Sequence, residues 1–214
     1  MHPRRRRIAR GLPLAAGLLA AAAACAETEA AALKALAGAP ARVVWCQDAG
    51  DGSDSGAVGE RLRLMGLCTE DALGERTILP GLSNYARPLL SPDGQTVVFS
   101  NRREGRIYAV RWDGTGLRPV ADGFALAVWA DPRHGDLWLY AGTTSTNETA
   151  LRAIRRQRLD DPSVREPVWD RTPVDIDNFQ LSADGRRSSG LIPWPVCARL
   201  ELPNGAAHKL EEAG

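Results

Sequence analysis

Asp93 and Asp184 are the first residues whose type and placement could do chemistry. Each sits in a Ser-x-Asp-Gly run: Ser91-Pro92-Asp93-Gly94 and Ser182-Ala183-Asp184-Gly185. Two carboxylates flanking one bond can cleave a glycoside, one as acid and one as base or nucleophile. The same residue types are also what a tight turn requires. Proline presets φ, aspartate accepts a local backbone hydrogen bond, and glycine enters the left-handed region without steric cost. The two runs are preceded alike by Leu90 and Leu181 and lie 91 residues apart. Recurrence at an interval favours a repeated structural element over one composite site. Pro92, Asp93, Gly94, Asp184 and Gly185 are therefore expected to build turns.

Other chemistry is thin. Asp48, Asp51 and Asp54 stand among glycines and serines over 48–56 and could offer hard oxygen ligands to calcium. Counted from Asp51, the twelfth position is Leu62 rather than Glu, so the spacing is not that of an EF-hand and a solvated loop is the better reading. After the first 26 residues the histidines are His134, in a turn, and His208, near the C-terminus, without metal-ligand spacing. The sequence has no Gly-x-Ser-x-Gly elbow, no Cys-x-x-Cys and no phosphate-binding Gly-x-x-x-x-Gly-Lys. No catalytic constellation, metal site or cofactor is expected. Arg102, Arg103 and Arg106 surround Glu104; this basic cluster could greet an anionic partner, but reads first as a solvated hairpin. Asn147-Glu148-Thr149 is a glycosylation sequon, relevant only in a eukaryotic source.

The elements that must position these residues begin with an address. Arg4 to Arg7 and Arg10 form a positive start, Gly11 to Ala24 an apolar stretch, and Ala24-Cys25-Ala26 a small-residue cleavage site. That order is an export signal over 1–26. The alternative places cleavage before Cys25, which would then carry a lipid anchor. Five of the 27 Lys and Arg lie in this segment, which leaves 22 against all 26 Asp and Glu, about −4 for residues 27–214. A nucleic-acid binder would show a basic surplus in the folded part, so that class is excluded. No run of 18 apolar residues follows residue 26, so no later membrane span is expected. Residues 27–40 read as a helical or flexible tether that Gly38 and Pro40 end.

From residue 41 to 214 the apolar runs are short and rich in β-formers. They include 42–45, 62–67, 77–79, 96–100, 106–112, 117–120, 126–129, 137–141, 164–169 and 196–202, with Pro-Asp-Gly, Asp-Gly-Thr-Gly and Pro-Asn-Gly clusters between. A longer strand over 151–159 leads into the turn at 160–163. Such spacing predicts an all-β fold. A long strand, a polar turn and a short strand recur over 106–120, 151–168 and 196–210. A repeat of roughly 40–50 residues is the length of a four-stranded propeller blade. Val97-Val98-Phe99 and Ile107-Tyr108-Ala109-Val110 are apolar on both faces, as strands covered on two sides should be. If 41–47 and 61–67 pair as a hairpin, Cys46 and Cys68 stand roughly 20 Å apart, beyond the ~7 Å between Cα atoms that a disulfide spans. Buried free thiols are expected.

Leu90-Ser-Pro-Asp-Gly-Gln-Thr-Val-Val-Phe-Ser-Asn-Arg102, followed by Gly105-Arg-Ile-Tyr-Ala-Val-Arg-Trp-Asp-Gly-Thr-Gly-Leu117, resembles the propeller repeat of TolB-type periplasmic proteins. The likeness covers 84–121 best and 178–210 more weakly, and the α/β domain of that family is not visible. The resemblance implies antiparallel four-stranded blades; counting repeat units, about 41–79, 84–121, 124–169 and 178–210, predicts an incomplete, open propeller of about 3–4 blades, truncated at the C-terminus. It also implies a non-catalytic module of the bacterial envelope, periplasmic, secreted or lipid-anchored, that binds a protein or glycan. The alternative is the propeller portion of a larger peptidase-like or carbohydrate-active enzyme whose catalytic domain is missing from this chain.

Overall fold

The computed structural model describes residues 30–50, 59–71, 74–143, 152–172, 177–182, 184–185, 187–191, 197–201 and 208–212. The export signal with Cys25, most of the Asp- and Gly-rich loop and the Asn147 sequon lie outside the described residues.

Fifteen strands are described, in sequence order. They are β1 (Arg42–Asp48), β2 (Leu62–Cys68), β3 (Glu75–Ser83), β4 (Tyr85–Leu90), β5 (Thr96–Asn101), β6 (Arg106–Arg111), β7 (Arg118–Asp122) and β8 (Phe124–Ala130). They continue as β9 (Leu137–Gly142), β10 (Arg152–Arg158), β11 (Arg165–Thr172), β12 (Asp177–Leu181), β13 (Arg187–Leu191), β14 (Cys197–Glu201) and β15 (His208–Glu212). Three sheets are four-stranded meanders, β4 to β7, β8 to β11 and β12 to β15, each pairing its strands in chain order. The pairings within them are all antiparallel. The first sheet has three strands, β1-β2-β3, one fewer than a full blade.

Chain packing divides the protein into two units, 1–42 with 67–76, and 43–66 with 77–214. In the first, a short helix occupies 30–37 and closes through the Gly38 N–H to the Lys34 carbonyl, 3.0 Å. Ala41 and Thr69 exchange main-chain and hydroxyl bonds of 3.0 and 2.9 Å, and Arg42 Nε donates to Cys68 Sγ at 3.4 Å. Cys68 thus stands beside Arg42, four residues before Cys46 on the same strand. Both cysteines are free, as the hairpin argument expects, but only Cys68 is buried; Cys46 is half-buried.

The second unit holds the blade-like sheets. Alternation of side chains across a strand sends successive residues to opposite faces. On β9, Leu139 and Ala141 join Val98, Ile107, Ala109 and Val120 in one buried cluster, against the β4–β7 sheet. Trp138 and Tyr140 point the other way and pack with Leu126 and Ile154, with Leu181 of β12 against them. The β8–β11 sheet is therefore apolar on both faces. Each fully buried Leu, Val or Ile is worth about 1.5–3 kcal/mol of burial, so these two faces carry the fold. The ring of Phe99 stacks on Tyr108 at 5.7 Å and meets Tyr85 edge-on at 5.1 Å.

Strand β4 opens the 84–121 segment that resembles a propeller repeat, although 84–90 is not among the apolar runs named from sequence. Arg87 adopts φ 48° and the register with β5 shifts between Ala86 and Leu89. A bulge of this kind takes the irregular residue out of the ladder and lets Pro88, which has no N–H to donate, sit in a strand. Among the described residues no helix is long and apolar enough to cross a membrane.

Candidate functional site

The two Ser-x-Asp-Gly runs join β4 to β5 and β12 to β13, so their carboxylates belong to separate sheets. Ser91 Oγ donates to Asp93 Oδ1 and accepts from the Thr96 N–H at 2.9 Å. The Gln95 N–H also donates to Asp93 Oδ1, at 3.0 Å, and the Gly94 N–H closes the turn on the Ser91 carbonyl at 2.7 Å. Ser182 Oγ donates to Asp184 Oδ1 at 2.6 Å, and the Gly185 N–H reaches the Ser182 carbonyl at 2.9 Å. Gly94 and Gly185 have φ of 70° and 67°. Pro92 lies between the paired ends of its turn.

The same device recurs without the motif. Asp131 accepts from the Arg133 N–H at 2.8 Å, which holds its carboxyl below the usual carboxylate range. His134 stands 3.3 Å from the same carboxylate, exposed. Thr115 donates twice to Asp113, and Ser163 twice to Asp161, whose carboxyl the Ser163 hydroxyl and N–H likewise lower. These aspartates act as turn acceptors.

The basic cluster is a hairpin turn. Asn101 Oδ1 accepts from the Arg103 and Glu104 N–H groups at 3.1 and 3.2 Å, and its amide donates to Glu104 at 2.9 Å. Tyr108 donates its hydroxyl to Glu104, which raises the Tyr108 pKa. Arg103 meets Glu60 at 3.5 Å and Arg106 meets Asp122 at 3.6 Å, all four side chains exposed. The basic charge is partly answered by the protein's own acids. His208 lies on β15 and Cys197 on β14, and among the described residues no group of three or more His, Cys, Asp or Glu is placed to hold a metal.

Sequence reasoning missed strand β10, Arg-Ala-Ile-Arg-Arg-Gln-Arg, as a place where charge is sorted onto two faces. Arg156 sits 4.7 Å above the Trp138 ring, pairs with Glu166 and reaches the Tyr140 hydroxyl at 3.4 Å. Tyr140 is fully buried, and burial raises its pKa despite that arginine. This group closes one face of the sheet by cation–π contact and ion pairing. On the other face Gln157, 7% exposed, donates across to the Val120 carbonyl on β7. Beside that bond a cleft of 430 Å³ opens between the β4–β7 and β8–β11 sheets. The sign of its rim was legible only in part: Arg106 is in the cluster named from sequence, but the residues opposite it are not.

Comparison with solved structures places this architecture. The chain is similar to TolB from Acinetobacter baumannii at 17% identity and a TM-score of 0.57, over 86% of this chain and 46% of that one. It is similar to puromycin hydrolase at 18% identity and a TM-score of 0.55, over 81% of this chain and 32% of that one. An oligogalacturonate lyase in complex with manganese aligns at 17% identity and a TM-score of 0.52, over 69% of this chain and 41% of that one. The chain thus spans less than half the length of each of these. No protein-family model and no curated protein matches it. The shared fold is the TolB-like β-propeller, built of antiparallel blades, and a puromycin hydrolase and an oligogalacturonate lyase are among the proteins that share it.

Proposed function

We propose that the chain is a non-catalytic TolB-like propeller module of the bacterial cell envelope that binds a protein or glycan partner. The observation that carries this reading is where the aspartates go. Asp93, Asp113, Asp131, Asp161 and Asp184 all accept hydrogen bonds from their own turns, so the repeated carboxylates serve blade architecture rather than a reaction. The export signal over 1–26 supplies the compartment, with Cys25 as the lipid-bearing alternative. A propeller's rim and loops then present the binding surface.

Fractionation of producing cells followed by mass spectrometry of the intact protein tests this. The expected product is an envelope-fraction chain beginning at Glu27, or at a lipid-modified Cys25. A cytoplasmic chain that keeps Met1 contradicts it.

A second reading is the propeller portion of a larger enzyme. It is favoured by one observation, that the chain covers only 32% of puromycin hydrolase and 41% of the oligogalacturonate lyase. Sequencing the genomic DNA beyond the codon for Gly214 tests it: an in-frame catalytic motif there supports this reading over the first, and further blades without one do not.

A further inference from the structure

We propose that the cleft between the β4–β7 and β8–β11 sheets is a binding site for a small oxyanion ligand carrying two or more negative charges, a polycarboxylate or a phosphate. This goes beyond the module reading and does not depend on the compartment or the larger partner.

Arg155 pairs with Ala141, and Arg165 with Gln157, so these residues share the face that packs toward β7. Both arginines border the cleft, and Arg106 borders it from the opposing sheet. Cross-strand partners lie side by side on one face of a sheet, which brings guanidinium groups from two strands to one opening. Asp122 is the carboxylate on the rim, and it is already paired with Arg106 at 3.6 Å. Arg156 also borders the cleft, but Glu166 answers its charge. Arg155 has no carboxylate partner among the described residues. Arg165 spends only its Nε, on the Pro162 carbonyl at 2.7 Å. Two guanidinium charges are left uncompensated at one concave site, in a chain whose residues 27–214 are acidic overall.

The walls fit a ligand rather than a chance surface charge. The buried Gln157 ties the two sheets together across the back, by its bond to Val120, so the cleft is held open at a fixed width. Val120 and Ala141 give it an apolar floor. Sites for small molecules combine such an apolar concavity with a few convergent polar groups. Planar guanidinium forks bind carboxylate and phosphate oxygens in pairs, which a single charge cannot exploit across two strands.

Isothermal titration of the whole chain at constant low ionic strength tests this, with citrate, inorganic phosphate and acetate as probes. Citrate or phosphate should bind saturably at one site and acetate should not, and whichever of the two binds more tightly identifies the source of the charge. Arg155→Ser and Arg165→Ser should each weaken binding about tenfold or more, the loss of one charge-assisted hydrogen bond. Asp122→Asn should tighten it, an effect that misfolding cannot produce. Arg103→Ser, outside the cleft, should leave it unchanged. Absent saturable binding overturns the site. So does equal weakening by Arg103→Ser, or weakening by Asp122→Asn.

Discussion

Gly94 and Gly185 show what a single residue contributes. Each turn needs a left-handed residue after its aspartate, and a β-branched side chain opposes that conformation. Gly94→Val should therefore destabilise by about 1 kcal/mol or more, read as a shift in the denaturant midpoint at unchanged slope. At Gly185 an added Cβ would lie less than 3.0 Å from the Trp129 ring, so the loss there should be larger. Cys46 offers a different test. Burial pushes its thiol from 9.0 up to about 11, against the pull of Arg102. The folded chain keeps a proton that the unfolded chain releases between those values, so stability should fall as pH rises through that window. In the native state Cys46 should react with a thiol reagent at pH 8 far more slowly than in denaturant, since the thiolate is the nucleophile. Rapid native labelling would show that this thiol is not shielded. The turn residues were legible in the sequence because every donor and acceptor lies within a few positions. The arginine cleft was not, because Arg106 and Arg155 meet only after two sheets have packed.

At the scale of elements, one bond between sheets carries information. The Ala125 N–H on β8 donates to Ser100 Oγ on β5 at 2.8 Å, and the site is buried. Ser100→Ala leaves that N–H without its partner and should cost about 1–3 kcal/mol. Gln157→Leu should act alike through the Val120 carbonyl, and thermal melting of the two variants would check both. If neither matters, the β4–β7 and β8–β11 sheets are not packed through these strands. Most strands could be read from their runs of Val, Ile, Leu and aromatic residues, and the strand–turn–strand marker falls on β6–β7, β10–β11 and β14–β15, but β11 is longer than β10 and β14 and β15 are equal, so the long-then-short contrast does not hold. Strand β4 escaped because Arg87-Pro88 interrupts its apolar pattern. Strands β12 and β13, Asp-Asn-Phe-Gln-Leu and Arg-Ser-Ser-Gly-Leu, carry too few apolar residues to stand out alone. Neighbouring strands, not local propensity, hold such segments in a sheet.

At the scale of the molecule, the β4–β7 and β8–β11 sheets are separate antiparallel blades packed face to face. An all-β chain of this composition could instead join its strands into the larger sheets of a sandwich; the repeat length reads against that, and the join between β7 and β8 separates the two directly. Asp122, Gly123 and Phe124 are consecutive, yet β7 ends one sheet and β8 begins the next. Interstrand nuclear Overhauser contacts between α-protons across β4 to β11 report this pairing directly. The expected pattern is ladders β4-β5-β6-β7 and β8-β9-β10-β11 with none between β7 and β8, and side-chain contacts from β8 to β5. A continuous ladder from β7 to β8, merging the two into one sheet, would contradict it.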